Sequence, residues 1–153
     1  MRTISAALAT VVTGLAALCA CTQQTPPAPP APPKPPFKVV ATAKQVMLSI
    51  TIPTADVVWK VPNETPKDDA AWLVVENNAL ALAESGNLLM MEGRAVDQGE
   101  WMKHASDLVT VSTKAVEAAR AKNADQMAQI GDELYTVCES CHMKYMKQEA
   151  PPR

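Results

Sequence analysis

The chain has 153 residues, enough for one domain of ordinary size and too few for two. A hydrophobic fraction of 48% supplies a core, but only 4% of residues are aromatic, so packing must rest on Ala, Leu, Val and Met, which favours close-packed helices over a sheet. The formal charge of −2, with Lys and Arg spread singly, leaves no basic surface for nucleic acid, and no nucleic-acid partner is expected.

Residues 1–20 read as a signal peptide of the lipoprotein type. Arg2 supplies the positive start, and the apolar run from Ile4 to Ala20 is too short and too broken by Thr for a comfortable membrane span. Its end, Leu18-Cys19-Ala20-Cys21, resembles the bacterial lipobox, with a small residue before a cysteine that is lipidated. Cys21 is therefore expected to carry a lipid anchor; the rival outcome is simple secretion. Either route places the mature domain outside the cytoplasm, in the periplasm. Thr22 stands where some bacteria use aspartate to retain lipoproteins at the inner membrane, which leans the expectation toward the outer membrane.

Residues 21–36 form a linker. Its TPPAPPAPPKPP stretch holds eight prolines in twelve residues. Proline lacks the N–H and fixes φ, so this segment should be extended polyproline II, reaching on the order of 37 Å. A spacer directly after an anchor fits a stalk; a ligand for a proline-recognising domain is the alternative.

Residues 37–153 read as the working domain, helical throughout. Apolar or small residues recur at Val40, Ala43, Met47, Ile50, Val57 and Val61, then at Trp72, Val75, Ala79, Leu82, Gly86 and Leu89. They recur again at Trp101, Ala105, Leu108, Val111, Ala115 and Ala118, and at Met127, Ile130, Leu134, Cys138, Cys141 and Tyr145. Steps of three and four predict four amphipathic helices. Thr65-Pro66-Lys67-Asp68 reads as a capping box with Pro at the first helical position, and Asp97 to Glu100 and Asn123 to Gln126 as further starts. Short connections predict antiparallel neighbours, hence an all-α, antiparallel four-helix bundle. Pro53 should kink the first helix, where the bond back to Ser49 is lost.

The chain has no Gly-rich phosphate loop and no Gly-x-Ser-x-Gly elbow, and its paired carboxylates, such as Asp68-Asp69 and Asp132-Glu133, fit helix starts and solvated faces. No enzymatic activity is expected. The chemistry gathers instead in YTVCESCHMKY, residues 135–145. Cys138-Glu-Ser-Cys141-His142 is the C-x-x-C-H pattern of covalent c-type haem attachment, in which both thiols add to the haem vinyls and the histidine ligates the iron. On a helix, Cys141 lies roughly 60° to one side of Cys138 and His142 roughly 40° to the other, so all three share a sector. A redox dithiol or disulfide is one alternative, but thioredoxin-like pairs open a helix in a strand–helix context that is missing here. Zinc is another, but it needs four ligands, and the mature domain offers two cysteines, His142 and His104, three of them crowded onto one helical turn.

An exported four-helix domain with C-x-x-C-H-x-x-Tyr on its last helix resembles the class II c-type cytochromes, the cytochrome c prime group and its low-spin relatives. The likeness covers residues 37–150, and Gly99-Glu-Trp101-Met-Lys-His-Ala105-Ser also looks like that family's third-helix opening. The resemblance implies one covalent haem c on Cys138 and Cys141, His142 as the proximal axial iron ligand, and Tyr145, three residues later, packing on the haem. It implies that the first helix supplies the distal side. Low-spin relatives use a methionine there, in a setting similar to Lys44-Gln45-Val46-Met47-Leu48, which makes Met47 the candidate distal ligand. Otherwise Met47 is core filler and the position is vacant. His104, at the margin of the third helix's apolar face, is the competing ligand, and two of the three tryptophans are expected to meet the haem. Homodimers, through the first two helices, are also implied.

The expected function is that of a membrane-tethered, His/Met-ligated electron carrier serving an unnamed redox partner protein. A five-coordinate haem protein binding small gases such as NO or CO is the alternative.

Overall fold

The computed structural model describes residues 37–146. The signal peptide, Cys21 and the proline linker lie outside the described residues. Within them the chain is all-helical, a four-helix bundle without strands.

Helix α1 (residues 43–60) is built in three parts. Its first turn, Ala43–Val46, opens on a reciprocal capping box: Thr42 Oγ1 accepts from Gln45 N at 3.2 Å, and the Gln45 side chain accepts from Thr42 N at 2.9 Å. A π-helical segment, Met47–Thr51, follows, with the Ile52 N–H reaching back five residues to the Met47 carbonyl. The α-helix then resumes as Ile52–Lys60. The interruption expected at Pro53 thus takes the form of a π segment just before the proline. Because Pro53 has no N–H for the Ser49 carbonyl, one extra residue in the preceding turn re-pairs the ladder around the gap.

Helix α2 is Asp69–Met90. Its N-cap is Asp68, whose carboxylate accepts from Ala71 N at 2.8 Å. The start expected at Thr65 is corrected by three residues. Thr65 Oγ1 donates to the Val61 carbonyl at 3.2 Å instead, and aspartate, the stronger cap, takes over. Helix α3 is Glu100–Arg120, capped through the Asp97 carboxylate, which accepts from Gly99 N at 2.8 Å and Trp101 N at 3.2 Å. Helix α4 is Ala124–Tyr145, with Asn123 accepting from Gln126 N at 2.9 Å. The turn between α3 and α4 is the tightest of the three. Lys122 is left-handed at φ 53°, while Asn123 N donates to the Ala118 carbonyl and Lys122 N to that of Ala119, a Schellman closure.

The packing order is cyclic: α1 on α2, α2 on α3, α3 on α4, and α4 lightly back on α1. The stripes expected on α2 and α3 are buried throughout, as are Met127, Ile130 and Leu134 of α4. On α1 the expected stripe holds in part: Val61 is buried, and Ala43, Met47 and Val57 pack half-buried against the core. Val40 is 85% exposed and precedes the helix, while Val46, Ala55 and Val58 are buried. The extra residue of the π segment rotates everything before it relative to everything after, so no single 3.6-residue stripe describes this helix. Among the described residues no helix is long and apolar enough to cross a membrane.

Candidate functional site

Where α1 and α4 barely touch, the bundle holds a cavity of about 470 Å³, within the usual range of about 300–1,000 Å³ for cofactor and ligand sites. Met47, Thr51, Ile52, Ala55 and Trp59 form its α1 wall, and Trp101, His104, Ala105 and Leu108 its α3 wall. Helix α4 contributes Cys138, Cys141, His142 and Met143, with Met146 just beyond its end, and Leu89 comes from the last turn of α2. The lining is mostly apolar. Four residues singled out from sequence, Met47, Cys138, Cys141 and His142, therefore meet at one cavity although 91 positions separate the first from the second. Cys21 lies outside the described residues.

The two cysteines are half-buried and free. Burial pushes the Cys138 thiol up to about 11, with the neighbouring Cys141 adding to the effect, and burial alone raises Cys141. Both thiols are thus held in the neutral form, the opposite of the depressed values that mark redox-active dithiols. Among the described residues no three His, Cys, Asp or Glu side chains are gathered to hold a bare metal ion.

Two of the three tryptophans line the cavity. Trp59 donates from Nε1 to the Gly131 carbonyl at 3.0 Å, tying α1 to α4, and Trp101 donates from Nε1 to the Leu89 carbonyl at 2.8 Å, tying α3 to the end of α2. Trp72 is buried in the core, away from the cavity wall.

Tyr145 does not line the cavity. It packs edge-on against two residues that do, Trp101 at 5.1 Å between ring centroids and His104 at 6.2 Å. Its hydroxyl donates to Asp97 Oδ2 at 2.5 Å. That bond holds the phenol protonated, pushing Tyr145 up to about 12, and holds the Asp97 carboxyl below its ordinary value, helped by the Gly99 and Trp101 amides. Lys144 pairs with Glu100 alongside. Asp97, expected only as part of a helix start, thus fastens the end of α4 to the start of α3. No sequence signal pairs residues 48 positions apart, so this latch was not readable.

Thr51 was also missed. It is 4% exposed, and its Oγ1 has no hydrogen-bond partner in the protein. Elsewhere helical hydroxyls bond back one turn: Ser49 to the Gln45 carbonyl, Thr54 to Ile50, Thr110 to Ser106 and Thr136 to Asp132. Thr51 lies in the π segment, where the Met47 carbonyl one turn back accepts from the Ile52 N–H and receives no bond from the Thr51 hydroxyl.

The cavity suits a large flat apolar group with a metal at its centre. Two thiols and an imidazole come from one helical face, a thioether comes from another helix, and two indoles complete the wall. Cys138 and Cys141 would tether a haem, His142 would ligate its iron, and Met47 stands on the α1 wall as the candidate for the other axial position. Comparison with known proteins supplies no relative: no family model matches the chain, and neither a curated protein nor a solved structure matches it.

Proposed function

We propose that this chain is a single-haem c-type cytochrome that carries electrons in the periplasm while tethered to a membrane through Cys21. One observation carries the reading: Cys138, Cys141 and His142 of α4 and Met47 of α1 line the same apolar cavity. A bound haem supplies an iron that cycles between two oxidation states.

The chain's residues do the rest. Cys138 and Cys141 would hold the group by two thioether bonds, so it stays when its iron changes charge. His142, one residue on, would donate its imidazole lone pair. The Met47 thioether would be a soft neutral ligand that favours the reduced state and leaves the coordination unchanged on electron transfer. Ile52, Ala55, Leu108 and the two indoles, which line the cavity, would keep water from a bound iron and lower the local dielectric, which would raise its potential further. The Tyr145 to Asp97 latch fixes the turn that carries His142. Met143 and Met146, exposed where they line the cavity, would offer a partner protein an apolar surface beside the bound group.

The second reading is a five-coordinate haem protein that binds NO or CO. In that reading Met47, half-buried against the core, packs in the cavity wall without ligating.

The test is the absorption spectrum of the protein made in a haem-attaching host, recorded oxidised, reduced, and reduced under carbon monoxide. Sharp reduced bands that ignore the gas are expected, and replacing Met47 with Ala should make them respond to it. Broad bands that shift with the gas in the parent protein favour the second reading. A colourless protein overturns both.

A further inference from the structure

The side chains lining the cavity carry few N–H or O–H donors, and nearly all of them are engaged. Trp59 and Trp101 give their N–H groups to the Gly131 and Leu89 carbonyls, and the Tyr135 hydroxyl donates to Glu139 at 3.2 Å. The Thr51 hydroxyl oxygen exposes less than 1 Å², so no occupant of the cavity reaches it. In the haem reading, Cys138 and Cys141 are taken by the tether and His142 by the iron. His104 remains. Its half-buried ring lines the cavity, meets Tyr145 edge-on at 6.2 Å, and bonds no protein group through either nitrogen among the described residues. The neighbouring cations are occupied: Lys103, next to it in the chain, pairs with Asp107, and Lys144, next to Tyr145, pairs with Glu100.

The wall on which His104 stands decides what it meets. His142 comes from α4 and Met47 from α1, so a flat group held between them would turn one face to each and its rim to α3, which carries His104. The rim of a haem c bears methyl groups, the two links to the cysteines and two propionate carboxylates. Of these only a carboxylate accepts a hydrogen bond from an imidazole N–H. A carboxylate drawn against an apolar wall needs a donor, and bonds to an ionised acceptor are the stronger kind. We propose that His104 donates a hydrogen bond to a propionate of the bound haem. This inference rests on the haem reading of the cavity. In this arrangement His104 serves the rim and not the iron. A propionate without a donor favours the extra positive charge of the oxidised iron; a donor that shares its negative charge weakens that effect, so His104 favours the reduced state.

The experiment uses the full chain, loaded with haem, and two substitutions that separate the ring of His104 from its N–H. His104→Phe keeps an aromatic ring against Tyr145 and removes the donor, whereas His104→Gln removes the ring and keeps an N–H. Resonance Raman spectroscopy reads the propionate bending band, which moves with the hydrogen bonding of the carboxylate, and a redox titration at a single pH reads the midpoint. In His104→Phe the band should shift, and the ratio of reduced to oxidised haem at the parent's midpoint should fall severalfold. His104→Gln should stay close to the parent in both. A band and a midpoint that ignore His104→Phe overturn the proposal and leave the haem reading standing. Equal changes in the two variants also overturn it, since they mark a packing role for the ring, and so does a change of spin state in His104→Phe, which marks an iron ligand. Absence of haem from the parent and both variants removes the functional reading and this inference together.

Discussion

Along the seam between α2 and α3 the backbones come so close that a Cβ on Gly86 would lie 2.7 Å from Val109 Cγ2 and 2.8 Å from the Ala105 carbonyl oxygen. Between α1 and α4 the same bundle holds its helices apart with Trp59 and leaves a cavity of about 470 Å³. Small residues let the first seam close: Gly86 on α2 meets Ala105 and Val109 on α3. The second is spanned by an indole bonded to a backbone carbonyl. The difference teaches that the chain does not lack the residues for a filled core; it spends them on one side and keeps the other open. Stability comes chiefly from the closed half, and the chemistry belongs to the open one.

Substitutions can break or sharpen this contrast. The largest effect is expected from Leu82→Ala in the closed half. Its side chain is fully buried, so truncation should cost about 2–5 kcal/mol by urea unfolding. Gly86→Ala comes next: the added methyl meets the Ala105 backbone and must push α2 from α3, for about 1–3 kcal/mol. Ile52→Ala trims a side chain that lines the cavity and is 43% exposed, so the haem-free protein should change by less than about 1 kcal/mol. Equal losses from Gly86→Ala and Ile52→Ala would erase the distinction between the halves.

The smallest change is a pH dependence of the latch. Asp97 is held below its ordinary value, so the fold gains stability that is present above about pH 4 and is lost as pH falls through the folded-state value. Tyr145 is pushed up to about 12, so its contribution is present below about pH 10 and is lost as pH rises toward 12. Tyr145→Phe should flatten both limbs of a plot of melting temperature against pH. An unaltered profile would show that the bond contributes nothing.

Most of the bundle was legible because its signals are local. The α2 and α3 stripes keep one period over 22 and 21 residues, and the start at Asn123 is a cap visible in four letters. Cys138, Cys141 and His142 were legible for the same reason, being neighbours on one helical face. What could not be read depends on register or on distance. The π segment breaks the α1 stripe, so Val46, Ala55 and Val58 are fully buried while Met47 and Val57 are half-buried and Val40 is exposed, although Val61 is buried as its spacing predicts. Met47 still reaches the cavity. Asp97 and Tyr145 find each other only because α3 and α4 are antiparallel neighbours, a fact of the fold and not of any short motif.

The hydrogen bond from Trp59 to Gly131 joins residues 72 apart and is among the few ties between the first helix and the last. Contacts that close so long a loop are entropically late in folding, and a lightly packed seam is the first to open in a native protein. The seam between α1 and α4 should therefore open before the rest, its amides exchanging with solvent through openings that leave the packing of α2 on α3 intact. A group too large to pass through the wall of a closed bundle could be inserted during such an opening, without the rest of the chain unfolding to admit it.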